Sequence, residues 1–261
     1  MRSLTSRDNP YVKHLYGLTH SARDRRDAGQ TVLDGAHLVK AAIDAERPVA
    51  ELVVSDQGLR NGEIVIVLER CGGVAVTHLS DALFAHVSPV DTPSGVLGVM
   101  SMPPAPPPPD LSRSLVVLDG VQDPGNLGTL LRTAAAAGIG DVLLTPGCAQ
   151  AWSPRVLRAG MGGHFALRIH EQLDVLDVLQ HYQGEILATG VGQEAFDLYA
   201  LDLSGAVAWL FGAEGKGLSE ALLSFASRRV TIPMAAAVES LNVAVAAAVC
   251  LFEQRRQRSV A

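Results

Sequence analysis

Cysteine is scarce. Cys71, Cys148 and Cys250 are the only three in 261 residues. They lie far apart and are odd in number, and no CxxC or Cys/His metal spacing exists. This excludes a disulfide framework and a zinc module. They read as reduced core thiols in a cytoplasmic protein. Residues 1–20 contain charges and lack the apolar core of a secretory signal. No apolar run reaches the roughly 20 residues that a membrane span needs. Neither a membrane nor a metal is therefore expected as a partner. An overall basic balance is also missing: 21 Lys and Arg against 27 Asp and Glu leave a net charge of -6. Any nucleic-acid binding must come from local patches. The phosphate-binding patterns GxxxxGK[ST] and GxGxxG before a helix are absent, which argues against a generic nucleotide-binding enzyme. No internal repeat of fixed period occurs.

What is present is apolar and uneven in charge. The chain is 48% hydrophobic, enough for a sizeable core. Within residues 1–26, Arg2, Arg7, Lys13, Arg23, Arg25 and Arg26 face only Asp8 and Asp24. Arg228, Arg229, Arg255, Arg256 and Arg258 make two further basic spots. On charge alone these are equally well solubilising surface and helix-terminal charge. The run Pro103-Pro104-Ala105-Pro106-Pro107-Pro108-Pro109 has no proline donors and favours extended backbone. It predicts a semi-rigid linker over 102–110 between a domain at 1–101 and another at 111–261.

Periodicity predicts helices over Asn9 to Arg26 and Gly35 to Ala45, and strands over Ala50 to Ser55, Ile64 to Leu68, Val74 to Thr77 and Val96 to Met100. The second part alternates more regularly. Strands are expected at Leu115 to Leu118, Asp141 to Leu144, Gly184 to Thr189, Val207 to Phe211 and Val230 to Ile232. Helices are expected at Leu127 to Ala137, Pro154 to Gly160 and Ser240 to Arg256. That alternation predicts an α/β fold with a mainly parallel sheet, whose ligands sit beyond the strand C-termini.

Three segments can carry chemistry. In Asp119 to Thr133 a strand end enters a Gly/Pro loop and a helix, with Asn126 as a plausible N-cap. Arg132 follows among small and apolar neighbours, as an exposed surface Arg or as a cation awaiting an anion or phosphate. Phe211-Gly212-Ala213-Glu214-Gly215-Lys216-Gly217-Leu218-Ser219 places three glycines around a Glu, as an ordinary turn or as a loop whose backbone approaches a ligand closely. Ile232-Pro233-Met234 precedes Glu239-Ser240-Leu241-Asn242, which opens an Ala/Val-rich helix. That helix body reads as buried core, and its polar start does not.

In this order and spacing the three segments resemble the SpoU/TrmH family of RNA ribose 2′-O-methyltransferases within the SPOUT class, over essentially all of 112–256. More weakly, Ser6 to Arg26, Asp34-Gly35-Ala36-His37 and Thr92-Pro93-Ser94-Gly95 resemble that family's RNA-binding extension, which has an L30e-like fold. The resemblance implies S-adenosylmethionine as methyl donor, a deep trefoil knot in the C-terminal sheet domain, and a homodimer with the site near the subunit interface. It implies cofactor contacts from Thr189, Gly190, Phe211, Gly212, Ala213, Gly215, Ile232, Met234 and Leu241. Asn126, Arg132, Glu214, Ser240 and Asn242 match the family's active-site positions. Arg7, Lys13, Arg23, Arg25, Arg26, Arg155 and Arg158 are the expected RNA contacts.

Three departures stand out. Asp34 replaces a common Glu, Ala236 stands where many relatives have Gly, and Arg158-Ala159-Gly160 lacks the hydroxyl of a common Arg-Ala-Ser. The implied substrate is RNA, because the 2′-hydroxyl reacts. The extra domain leans the choice to 23S ribosomal RNA. The alternatives are tRNA methylation and a non-catalytic RNA-binding or ribosome-assembly protein keeping the fold. Guanidinium stays protonated above pH 12 and is no ordinary base. Arg132 is therefore expected to bind the target phosphate and lower the 2′-hydroxyl pKa, with phosphate or a transiently neutral guanidine taking the proton.

Overall fold

The apolar runs separate into sheets covered on both faces. The structure, a computed structural model, describes residues 1–190, 195–235 and 237–260, with the backbone only at residue 260. The Ala236 departure thus lies outside the described residues. These residues form two units, one of Met1–Pro104 with Trp152–Phe165 and one of Ala105–Ala151 with Ala166–Ala261.

The first unit contains β1 (Arg2–Leu4), α1 (Pro10–His20), α2 (Ala22–Ala28), β2 (Gln30–Asp34), α3 (Ala36–Asp44), β3 (Val49–Ser55), α4 (Gly62–Arg70), β4 (Ala75–Leu79), α5 (Asp81–Val87) and β5 (Val96–Ser101). Its sheet runs β1-β4-β3-β5-β2. β1, β4 and β3 pair in parallel, and β5 is antiparallel to both β3 and β2. Val12, Leu15 and Leu18 of α1 and Leu83, Phe84 and Val87 of α5 pack on one face. Leu38 and Val39 of α3 and Val67 of α4 pack on the other.

Two expectations change here. The predicted helix over Asn9 to Arg26 is broken at Ser21, which ends α1 in extended backbone and caps α2 by accepting from Asp24 N. A serine hydroxyl that bonds the next turn competes with helix continuation. The predicted strand over Ile64 to Leu68 is instead part of α4. Asn61 caps that helix by accepting from Glu63 N and Ile64 N. Only one side of the run is buried, at Ile64 and Val67, so the helical period wins over the β-branched composition.

The second unit contains β6 (Leu115–Asp119), α6 (Pro124–Ala137) and β7 (Asp141–Leu144). The chain then passes through 152–165, with α7 (Pro154–Gly160), before β8 (Arg168–His170), α8 (Val175–Gln180), β9 (Glu185–Thr189), β10 (Phe196–Asp197), β11 (Val207–Gly212), α9 (Glu220–Leu223), β12 (Arg228–Thr231) and α10 (Val243–Val260). The order β10-β12-β9-β11-β6-β7-β8 is parallel at every pairing. Strands buried on both faces need no alternation, which is why LVVL and VAWLF are apolar throughout. Ala244, Ala247, Cys250 and Leu251 form the buried stripe of α10, which packs on α6. Gln254 on the same stripe accepts from Trp209 Nε1 at 2.9 Å and donates to Ser114 Oγ at 3.0 Å, so the helix is tied to the sheet.

Segment 152–165, expected in the second domain, belongs to the first unit. Leu157 joins the cluster of Leu33, Leu38 and Met100. Thr31 Oγ1 donates to the Trp152 carbonyl at 2.7 Å, and Arg158 pairs with Asp34, whose side chain is buried. Most of the later basic residues are engaged in place: Arg228 pairs with Glu185, Arg256 with Glu253, and Arg255 and Arg258 donate to carbonyls of Ala137, Ser204 and Gly205, while Arg229 is exposed. For these residues the surface and helix-terminal reading holds. Among the described residues no helix is long and apolar enough to cross a membrane, and no group of three or more His, Cys, Asp or Glu can hold a metal ion.

One buried charge stabilises this sheet. Asp141, 1% exposed, accepts from Arg168 Nε at 2.7 Å and sits 3.0 Å from His170 Nε2. Burial alone raises its pKa, but hydrogen bonds from Arg168 and His170 outweigh that and hold the carboxyl at about 2 instead of 3.8. A folded-state pKa below the unfolded value adds stability that is present above about pH 4 and lost as pH falls towards about 2. Asp141→Asn is expected to lower unfolding free energy by about 2 kcal/mol at pH 7. The deficit should shrink below pH 3 in denaturant titrations; an equal deficit at both pH values would contradict the ionised role.

Candidate active site

The site lies at the C-terminal ends of β6, β9, β11 and β12, where a parallel sheet leaves strand ends and loops open. β11 ends at Gly212. A Cβ at that position would collide with the backbone of Gly217 and Leu218. The missing side chain therefore lets residues 217 and 218 cross the strand end in contact with it. Ala213 and Gly217 bridge, with Gly217 N donating to the Ala213 carbonyl at 2.9 Å. Gly215 and Gly217 have φ of 81° and 68°, which side-chain-bearing residues rarely adopt. The tight loop holds Glu214 outward.

Glu214 meets two asparagines there. Asn126 Nδ2 donates to Glu214 Oε1 at 2.8 Å, and Asn242 Nδ2 donates to the same oxygen at 2.7 Å. Asn242 Nδ2 also lies 3.0 Å from Asn126 Oδ1. Residues 126, 214 and 242 thus converge from the three sequence segments. The helix caps differ from expectation. Asp123, not Asn126, caps α6, accepting from Asn126 N at 2.7 Å. Asn126 is thereby free for Glu214. The last helix starts at Val243 rather than Ser240, because Asn242 Oδ1 caps it by accepting from Ala244 N and Val245 N. Glu239, Ser240 and Leu241 precede the helix as an exposed or half-buried strap.

Two cavities meet at Glu214. One of about 370 Å³ is lined by Thr189, Gly190, Gly212, Ala213, Glu214, Gly215, Ile232, Met234, Ser240 and Leu241 among others. Eight of the nine expected cofactor contacts are in that lining. Phe211 is not: it is wholly buried, stacked near Trp209, and supports the strand from within the core. The second cavity, of about 490 Å³, is lined by Asp119, Gln122, Asp123, Asn126, Glu214 and Lys216, among others. Arg132 lines neither cavity; it is exposed on α6.

Asp119 was missed as a site residue. Its carboxylate accepts from Thr145 Oγ1 at 2.8 Å and from Ser219 N at 2.7 Å, joining three strand-end loops. An acidic residue closing an apolar strand just before Gly120 was the available signal. Among the expected RNA contacts, Arg7, Lys13, Arg23, Arg26 and Arg155 are exposed. Arg25 is not: it is 7% exposed and donates to the Leu18 carbonyl. Arg158 is engaged by Asp34. The Arg158 side chain nevertheless stays 43% exposed.

The two uses of Asn242 can be separated. Asn242→Ala removes the cap and is expected to cost about 1 kcal/mol. Asn242→Asp keeps a capping oxygen but sets a second carboxylate beside Glu214. It should destabilise at pH 7 and recover on acidification to about pH 4. Denaturant titrations at the two pH values check this; a pH-independent Asn242→Asp would remove Glu214 as its partner.

Residues 113–252 match the SpoU rRNA Methylase family, and residues 9–98 match the MRM3-like substrate binding domain. The chain is 33% identical to the 23S rRNA (guanosine(2553)-2′-O)-methyltransferase RlmP of Bacillus subtilis, over 98% of this chain and 100% of that protein. It is 35% identical to an uncharacterised tRNA/rRNA methyltransferase of Synechocystis, over 98% of this chain and 94% of that one. A crystal structure of an RNA 2′-O ribose methyltransferase superposes with a TM-score of 0.85 at 32% identity, covering 98% of this chain and 99% of the other. An AdoMet-bound rRNA methyltransferase from Sinorhizobium meliloti superposes at 0.80 with 30% identity, covering 98% and 97%. With its three segments meeting at one strand-end site, this chain belongs to the SpoU rRNA methylase family.

Proposed function

We propose that this chain methylates a ribose 2′-hydroxyl of ribosomal RNA, most specifically of 23S ribosomal RNA, using S-adenosylmethionine. The observation carrying this reading is the meeting of Asn126, Glu214 and Asn242 beside a cavity built on the Gly212 crossing. The RlmP resemblance along the whole chain supports ribosomal over transfer RNA. The cavity fits the cofactor in kind: Gly190, Gly212 and Gly215 line it without side chains, so a ligand can approach the backbone closely, while Ile232, Met234 and Leu241 offer apolar surface. When bound there, S-adenosylmethionine supplies an electrophilic methyl group.

The protein's own residues do the rest. The 2′-hydroxyl is a poor nucleophile and must lose a proton. Arg132, exposed and without an ion-pair partner among the described residues, binds the target phosphate. Its fixed charge lowers the 2′-hydroxyl pKa as negative charge develops. The proton leaves to that phosphate. Asn126 and Asn242 hold Glu214, which lines both cavities, and Ser240 lies at the cofactor side. Residues 1–101, with 152–165, form the RNA-binding part, presenting Arg7, Lys13, Arg23, Arg26 and Arg155; residues 111–151 and 166–261 form the catalytic part. The chain works in the reducing cytoplasm, in keeping with its three free cysteines.

Between β12 and α10, Ile232, Met234, Ser240 and Leu241 line one cavity with Thr189 and Gly212 at the ends of β9 and β11, and α10 packs on α6. We take this connection as the trefoil crossing of the family. We also take the active form as a homodimer. α10 leaves Val245 and Phe252 49% and 46% exposed, seven residues apart on one helix face, and Val238 lies exposed before it.

Arg132→Ala is expected to leave S-adenosylmethionine affinity within about twofold by calorimetry and to cut methyl transfer at least about a hundredfold. Turnover at the wild-type rate would remove Arg132 from the mechanism. Failure of the wild-type protein to bind the cofactor would favour a non-catalytic assembly protein. Light scattering should give twice the 27.5 kDa chain mass, and Val245→Glu with Phe252→Glu should give the single mass. A monomeric wild type would overturn the dimer.

A further inference from the structure

One feature of the first unit has no role in the methyl-transfer chemistry. Tyr16, on α1, is 42% exposed although Val12, Leu15 and Leu18 of the same helix are fully buried. Its ring stacks on His20 at 4.2 Å between centroids and on His86 of α5 at 4.8 Å, each within 18° of parallel. Three aromatic rings therefore form a column at the surface. The His20 end is held in place: its Nδ1 lies 2.7 Å from Thr19 Oγ1 and 3.1 Å from the Tyr16 carbonyl.

Exposed cations neighbour the column along the chain. Lys13, Tyr16 and His20 are spaced three and four apart and share one face of α1. Arg23 and Arg26 follow on α2, both exposed. The acidic partners there are weak competitors: Lys13 to Asp8 and Arg23 to Asp27 are open surface pairs, with at least 64% exposure at every side chain. A polyanion displaces such pairs readily. Flat rings beside cations that face solvent are the features with which proteins hold unpaired RNA, by stacking bases and neutralising phosphates.

We propose that the His20–Tyr16–His86 column is a stacking platform for an unpaired nucleobase of the RNA substrate, flanked by phosphate contacts at Lys13, Arg23 and Arg26. This rests on the reading of the chain as an RNA methyltransferase and adds where and how single-stranded RNA is gripped. The pre-formed stack spares the side-chain ordering that a free tyrosine would undergo on binding.

The test uses the full-length protein and two labelled probes, a single-stranded 12-mer of adenosines and a 12-base-pair RNA duplex, by fluorescence anisotropy. Tyr16→Leu keeps an apolar side chain but removes the central ring on which His20 and His86 stack; Tyr16→Phe keeps that ring. Tyr16→Leu should weaken single-strand binding roughly tenfold, leave duplex binding unchanged, and leave the salt dependence of affinity unchanged because no charge is lost. Tyr16→Phe should bind as wild type. His20→Ala, at the column's end, gives the same loss and serves if Tyr16→Leu melts early. Arg23→Ala with Arg26→Ala should weaken both probes and lower the salt slope by about 2. If the arginine variant weakens and the Tyr16 and His20 variants do not, the stacking platform is overturned while the RNA-binding face stands. An equal loss on the duplex also overturns it, because paired bases present no face. If no variant changes affinity, the RNA-binding role of this unit falls as well.

Discussion

The catalytic unit depends on one close crossing. Residues 217 and 218 pass over the end of β11 so tightly that only glycine fits at position 212. That contact turns the strand end into a cavity wall of bare backbone. It also sets the tight loop through Gly215 and Gly217, which aims Glu214 away from the core. Glu214 then becomes the acceptor on which Asn126 and Asn242 converge. Any side chain at 212 pushes the crossing outward and takes the triangle with it.

The triangle also couples local structure to the site. Asn242 ends one bonding task and begins another: its oxygen caps α10 and its nitrogen serves Glu214 and Asn126. Asp123 takes over the cap of α6, which releases Asn126. Asp119 secures the neighbouring loops through Thr145 and Ser219. Positioning is thus built from caps and turns that the backbone needs in any case, and it costs the fold little. The long-range support comes from the Ala-rich stripe of α10 on α6 and from Gln254 beneath Trp209.

The two units use charge in opposite ways. In the first, Arg25 is buried against a carbonyl and part-exposed Arg158 pairs with buried Asp34, while the arginines at 7, 23, 26 and 155 stay in water. In the second, buried Asp141 is kept ionised by Arg168 and His170. The side chains left in water stay open to solvent; those engaged with carbonyls or buried carboxylates specify packing. Charge counting along the chain sees one surplus where the fold contains two populations.

Much was legible in the sequence because its causes are local. Apolar runs bounded by glycine marked the strands of the parallel sheet, and the Pro-rich run marked a separator. Three polar segments at strand ends marked the site. Local pattern misread Ile64 to Leu68, whose β-branched composition favours a strand while burial on one side alone makes a helix. It could not tell that Ser21 breaks a helix, since the same hydroxyl sits quietly on many helix surfaces. Which end of each polar segment caps and which serves the site was likewise invisible, because Asp123 and Asn126, or Ser240 and Asn242, are equally good caps in isolation. The placement of 152–165 with the first unit, the engagement of Arg25 and Arg158, and the column of Tyr16 with His20 and His86 arise from contacts between residues up to 124 apart. By itself the sequence determined the sheet class, the segments carrying chemistry and the family they resemble, because spacing and side-chain type suffice for those. Only the tertiary structure decided which charges are buried and which glycine carries the crossing. Burial is a property of what packs alongside a residue, and no local pattern contains it.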